Sequence, residues 1–247
     1  MKTLFRRTSL ALALTTTLVM TAQAQDLRIS MYADITGLDP HDTSDNVSYS
    51  VQSGIFERLF QFDPQMKLEP WLATGYTSND SATEFTLTLR KGVTFQDGTP
   101  FDAEAVKANL DRLADQKKGL KRNSLYKMID KVTVLAPDQG KISLNQSFGA
   151  FINTLAHPSA VMWSPSVLKQ YPDEAQLRLH PVGTGPFKFV NWTPGKAVTL
   201  AKYDGYWRQG WPKVDQVIFS PSPEDATRVA ALKSGQVDAI WPLPSDL

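Results

Sequence analysis

Apolar residues along this chain switch repeatedly between two spacings, and the switching decides the fold class. Leu27, Ile29 and Met31 alternate with polar neighbours, as do Phe85, Leu87 and Leu89 with Thr86, Thr88 and Arg90; period two puts one side of a strand on a core. Between such segments the spacing lengthens. Val47, Val51, Ile55, Leu59 and Phe62 recur every three or four residues, which predicts a helix from Asn46 to Phe62 capped by Asp45. Val106, Leu110 and Leu113 predict a second helix after a cap at Asp102, with Glu104 favourably placed in its first turn.

Further strands are expected around Val132 to Leu135 and Ile142 to Leu144, joined by the Pro137-Asp138-Gln139-Gly140 turn. The last third predicts strands at Phe187 and Phe189, at Val198 and Leu200, at Val214 to Phe219 and at Val237 to Trp241. A helix between the last two starts with Ser222 as cap and Pro223 at its first position and leaves through Gly235. Leu38-Asp39-Pro40 is expected to end the first strand. Antiparallel hairpins mixed with strand-helix-strand units define an α/β protein with a mixed sheet and flanking helices, and exclude a helical bundle or a pure sandwich.

Residues 1 to 24 read as an export signal. Lys2, Arg6 and Arg7 form a basic start, Leu10 to Met20 a largely apolar stretch of 11 residues, and Ala22-Gln23-Ala24 supplies small residues before cleavage at Gln25. That stretch is short of the ~20 apolar residues a bilayer span needs. The 247 residues carry 26 Lys plus Arg against 25 Asp plus Glu. Cleavage leaves 23 basic groups against 25 acidic, a net charge of −2, so no nucleic-acid partner is expected. With no cysteine, thiol nucleophiles, disulfides, iron–sulfur clusters and a lipid tether at the cleavage site are all excluded. An exported, untethered bacterial protein points to a Gram-negative periplasm.

The motifs of common enzymes are missing. There is no Gly-x-Ser-x-Gly, phosphate loop or His-Glu-x-x-His. Gly183-Thr184-Gly185 resembles the start of a dinucleotide fingerprint, but Pro186 and the alternating Phe187 and Phe189 make the next segment a strand, so no helix N-terminus meets a phosphate. His41, His157 and His180 offer no helical metal-ligand pair. No cofactor and no metal are expected, and a catalytic carboxylate pair is not indicated.

Three segments resemble the periplasmic solute-binding proteins of peptide and nickel ABC transporters. They are Leu38-Asp39-Pro40 after the first strand; Leu89 to Ala103 with Val106-Lys107; and Val182-Gly183-Thr184-Gly185-Pro186-Phe187 with Trp192, Gly195, Tyr206-Trp207 and Leu232 to Asp238. Within that family, Ala105 to Arg112, Leu120-Lys121-Arg122 with Leu125-Tyr126-Lys127, and Phe151 to Pro158 are similar to the glutathione-binding members.

The resemblance implies a two-lobed periplasmic binding protein-like fold that traps solute by closing about a hinge, without catalysis. It implies that this chain holds the first lobe: a discontinuous domain of residues 25–49 and 180–247 with an inserted subdomain of 50–179, the second lobe lying beyond 247. It further implies a monomer that captures glutathione or a short peptide and delivers it to permease subunits in the inner membrane. Other peptides or a nickel chelate are the alternatives within the class, and a secreted hydrolase the alternative outside it.

A glutathione-like ligand carries two carboxylates and one ammonium. Arg122 is the candidate for a carboxylate, since its guanidinium suits a bidentate acceptor; the neighbouring Lys117, Lys118, Lys121 and Lys127 leave a solvated basic face as the alternative. Tyr126, four residues on, shares its face if the stretch is helical and offers a hydroxyl. Asp39 and His41 follow the first strand, where open α/β sheets hold ligands; Asp39 either meets the ammonium or caps the turn at Pro40. Thr184 and Gly185 present backbone groups near the hinge or form a structural turn. His157 is either a ligand contact or a satisfied, partly buried imidazole. Trp192, Trp207, Trp211 and Trp241 are expected in the core.

Overall fold

The computed structural model describes residues 26–245; the expected export signal and its cleavage point lie outside them. The strands are β1 (Asp26–Met31), β2 (Phe60–Phe62), β3 (Leu68–Pro70), β4 (Ala73–Ser78), β5 (Glu84–Leu89), β6 (Ile129–Ala136), β7 (Gln139–Leu144), β8 (Phe187–Thr193), β9 (Ala197–Lys202), β10 (Gln216–Pro221) and β11 (Ala239–Trp241). The helices are α1 (Asn46–Gln52), α2 (Ala103–Ala114), α3 (Phe151–Thr154), α4 (Pro165–Gln170), α5 (Glu174–Leu177) and α6 (Asp225–Lys233).

Two larger sheets divide the strands. The first is five-stranded in the order β11-β1-β10-β9-β8 and mixed: β1 runs parallel to β10 and β11, while β10, β9 and β8 are antiparallel neighbours. It takes one strand from the start of the described chain and four from its last third. The second is an antiparallel sheet, β4-β5-β7-β6, drawn wholly from the middle; β2 and β3 form a separate hairpin.

Each sheet has its own core. Phe85, Leu87 and Leu89 of β5 are buried with Val106, Leu110 and Leu113 of α2, and burying each such side chain contributes roughly 1.5–3 kcal/mol. The Asp102 carboxylate accepts from the Ala105 amide at 2.9 Å, starting α2 where expected. Beside the five-stranded sheet, Val47, Val51, Ile55, Trp163, Val198 and Leu200 pack together.

Three expectations need correction. The helix begun at Asn46 stops at Gln52 rather than Phe62, because the next carbonyls are taken by donors from another segment: Phe187 N donates to Gly54 O at 2.9 Å and Gly185 N to Ile55 O at 2.8 Å. Leu59 therefore joins the other core and Phe60 to Phe62 become β2. The last helix has Glu224, not Ser222, at its N-cap position, and the Glu224 side chain makes no capping hydrogen bond; the Ser222 amide donates to Met31 O at 2.7 Å, extending the β1–β10 ladder, and its carbonyl accepts from Arg228 at 2.8 Å. Its exit at Gly235 does have the left-handed φ of 73° that glycine tolerates. Finally, β1 ends at Met31, and Leu38-Asp39-Pro40 instead leads into a short 3-10 turn, Pro40–Asp42.

Candidate functional site

Where α1 gives out, the chain turns between the two sheets and places Glu57 and Arg58 side by side beneath a cavity of about 710 Å³. Its lining includes Tyr49 and Ser53 from the α1 region, Trp71, and Tyr206, Arg208 and Trp211 from the loop between β9 and β10.

Glu57 is buried and accepts four hydrogen bonds. Trp71 Nε1 (2.8 Å) and the Tyr206 hydroxyl (2.7 Å) reach Oε1, while Trp207 Nε1 and the Thr184 hydroxyl, both at 2.9 Å, reach Oε2. Burial raises its pKa and the four donors oppose that rise. The carboxylate thus fixes three aromatic side chains, of which Trp71 and Tyr206 line the cavity. Guanidiniums stack on these rings: Arg90 lies 4.4 Å from the Trp207 ring centre, and Arg208 lies 4.9 Å from that of Trp71 and 5.5 Å from that of Trp211.

Tyr49 connects the cavity to a second group. Its hydroxyl donates to Thr43 O at 2.6 Å, and Arg122 Nε donates to the same carbonyl at 2.9 Å and to that hydroxyl at 3.0 Å. The hydrogen bonds of the described residues engage only Nε of Arg122, which leaves its two terminal nitrogens available. The His157 ring meets Tyr49 edge-on at 6.1 Å. His157 Nδ1 accepts from the Ser159 amide at 3.1 Å, so the proton of the neutral ring sits on Nε2. Burial lowers the His157 pKa first, and the nearby Arg122 and Arg58 charges lower it further.

Of the residues expected in a site, the structure therefore brings together Arg122 and His157. Tyr126 sits behind them rather than beside Arg122: the two flank a 3-10 turn, Asn123–Leu125, and the Tyr126 ring is fully buried with its hydroxyl 2.8 Å from Ser159 Oγ, which in turn lies 2.8 Å from His157 Nδ1. Burial raises its pKa. Asp39 and His41 are also buried. Asp39 accepts from the His41 amide at 3.0 Å, so it does cap the turn at Pro40, and it pairs with Arg112 at 2.6 Å. Thr184 and Gly185 are buried too, the first on Glu57 and the second on Ile55.

Two of the tryptophans expected in the core are surface-reaching instead, Trp211 at 51% and Trp241 at 38% exposure. The spacing of residues gave no signal for Glu57, Arg58 or Arg208. The first two fell inside an assumed helix, and Arg208 follows the family-like Tyr206-Trp207 pair without belonging to a motif. Among the described residues no group of three or more His, Asp or Glu is arranged to hold a metal ion.

A mixed-sheet α/β fold with a cavity lined by aromatic rings and bounded by guanidiniums has the make-up of a ligand-capturing protein. Residues 67–247 match the family of bacterial extracellular solute-binding proteins, family 5, and the chain belongs to that family. It is 43% identical over 221 residues, 90% of its length, to the glutathione-binding protein GsiB of Salmonella paratyphi A, and 42% identical over the same span to GsiB of Escherichia coli O157:H7. It spans 43% of the length of these relatives. Among solved structures it superposes on AgaA from A. tumefaciens R10 in complex with agropinic acid (TM-score 0.82, 33% identity, 89% of this chain and 44% of that one). It also superposes on the periplasmic binding protein DppA from Helicobacter pylori in complex with peptide STSA (TM-score 0.77, 27% identity, 86% and 46%).

Proposed function

We propose that this protein captures glutathione or a short peptide in the periplasm and delivers it to the permease of an ABC importer, with residues 1–24 as its export signal. The observation that carries the reading is the pairing of 43% identity to glutathione-binding proteins with an arginine whose terminal nitrogens are open. In this reading the chain corresponds to one lobe of a two-lobed receptor, residues 25–49 and 180–247 forming its main domain and 50–179 its inserted subdomain; coverage of 43% of the relatives' length supports that.

Arg122 grips a ligand carboxylate. Its Nε is already spent on Thr43 and Tyr49, which orients the fork and lowers the entropy lost on binding. His157, neutral with Nε2–H free, supplies a donor beside it. Calorimetry with glutathione on the protein and on its Arg122→Ala variant tests this. The variant is expected to bind at least ~10-fold more weakly, about 1.4 kcal/mol; a smaller loss removes Arg122 from the site.

A further inference from the structure

The cavity wall contains two more cations that enter no ion pair of the described residues. Arg58 gives one hydrogen bond, to Ala156 O at 3.0 Å, and Arg208 lies over the rings of both Trp71 and Trp211. The cavity lining has three cationic side chains, Arg58, Arg208 and Lys213, against one carboxylate, Glu57, whose two oxygens are already occupied by four donors. Burial also lowers the Arg58 pKa, the response of a guanidinium held away from water with little compensation.

We propose that Arg58 and Arg208 form a second anion subsite, so that the ligand is a molecule with two carboxylates, one held by Arg122 and one inside the cavity, its less polar middle lying on Trp71 and Trp211. This rests on the capture reading for the first carboxylate only. Tyr49 makes the two subsites neighbours, since it lines the cavity and bonds Arg122. Arg58 donates to the carbonyl of Ala156, the residue before His157, and the His157 ring meets Tyr49, whose hydroxyl accepts from Arg122. An anion at each would neutralise a partly desolvated charge, where pairing is stronger than in bulk water. A monoanionic ligand would leave one cation unpaired.

The test is calorimetry with glutathione and with glutathione amidated at its glycine carboxyl, on the protein and on an Arg58→Gln/Arg208→Gln double variant. Amidation is expected to weaken binding to the protein by about 30-fold and to change binding to the double variant by less than about threefold, while Arg58→Lys/Arg208→Lys keeps most of the affinity. If the double variant binds glutathione as the unaltered protein does, or loses equally for both ligands, the second subsite is wrong. A separate arm needs no peptide: terephthalate, a flat dicarboxylate, should quench tryptophan fluorescence saturably where neutral terephthalamide does not, and the double variant should abolish the difference. Failure of glutathione alone with terephthalate still bound overturns the capture reading and leaves the subsite standing; failure of terephthalate to bind overturns the subsite.

Discussion

Arg112 Nη1 approaches His41 Nδ1 to 2.6 Å in the buried seam between α2 and the turn after β1. A guanidinium only donates, so Nδ1 must be unprotonated, and the imidazole proton sits on Nε2, 3.0 Å from the Val161 carbonyl. Burial first, and the Arg112 charge second, lower the His41 pKa to about 4. An unfolded chain takes up that proton near pH 6.5, whereas the native one resists until about pH 4. Stability from this group is therefore full above pH 6.5 and lost as pH falls towards 4, by on the order of 3 kcal/mol. Thermal melts between pH 7 and 4 should show a steep fall that flattens in His41→Gln; equal slopes would contradict the buried neutral imidazole.

The same arginine holds Asp39 at 2.6 Å and also pairs with Glu174. Removing it in Arg112→Met leaves a buried carboxylate unpaired, expected to cost about 3–5 kcal/mol in urea denaturation. Replacing both members, Asp39→Asn with Arg112→Met, should recover part of that loss, because no lone charge remains. A double variant no more stable than the single one would show that the pair is not what the seam depends on.

Glu57→Gln is nearly isosteric, yet it puts an NH2 group where an oxygen now accepts two bonds. Two donors then face a donor, and the variant is expected to lose roughly 1–3 kcal/mol. Because Trp71 and Trp207 both bond that carboxylate, near-UV circular dichroism should change as well. An unaltered aromatic spectrum would mean the rings are held without it.

The sequence patterns were informative where one physical rule acted locally. Period two marked β1 and β5, and the Asp102 and Asp45 carboxylates cap α2 and α1 as expected. They misled where a distant segment decided the outcome: α1 is cut short by amides of Gly185 and Phe187, over a hundred residues away along the chain. For the same reason the sequence placed only some of the residues that surround the candidate site. Arg122 could be singled out by chemistry, but Tyr126, expected on its face, turns inward because a 3-10 turn replaces the assumed helix. Asp39 and His41 look like binding groups in sequence, and only the fold supplies the Arg112 that claims them.

The Gly183-Thr184-Gly185 run shows how a segment resembling the start of a dinucleotide fingerprint serves packing instead. A Cβ on Gly185 would sit 2.7 Å from the carbonyl oxygens of Gly54 and Ile55, and one on Gly183 would sit 2.2 Å from Ile55 O. These are backbone atoms, so no side-chain rotation relieves the clash. Gln96 pins the same crossing, its Nε2 donating to Ile55 O at 3.1 Å, Gly185 O at 3.0 Å and Phe187 O at 2.7 Å. Gly185→Ala is therefore expected to destabilise by about 2–4 kcal/mol, and Gln96→Leu, which takes a donor from the Gly185 and Phe187 carbonyls and the acceptor from the Gly183 amide, by about 1–3 kcal/mol. Chemical denaturation of each variant checks both figures. A Gly185→Ala protein as stable as its parent would show that the two segments can separate without loss, and the close crossing that ends α1 would then need another cause.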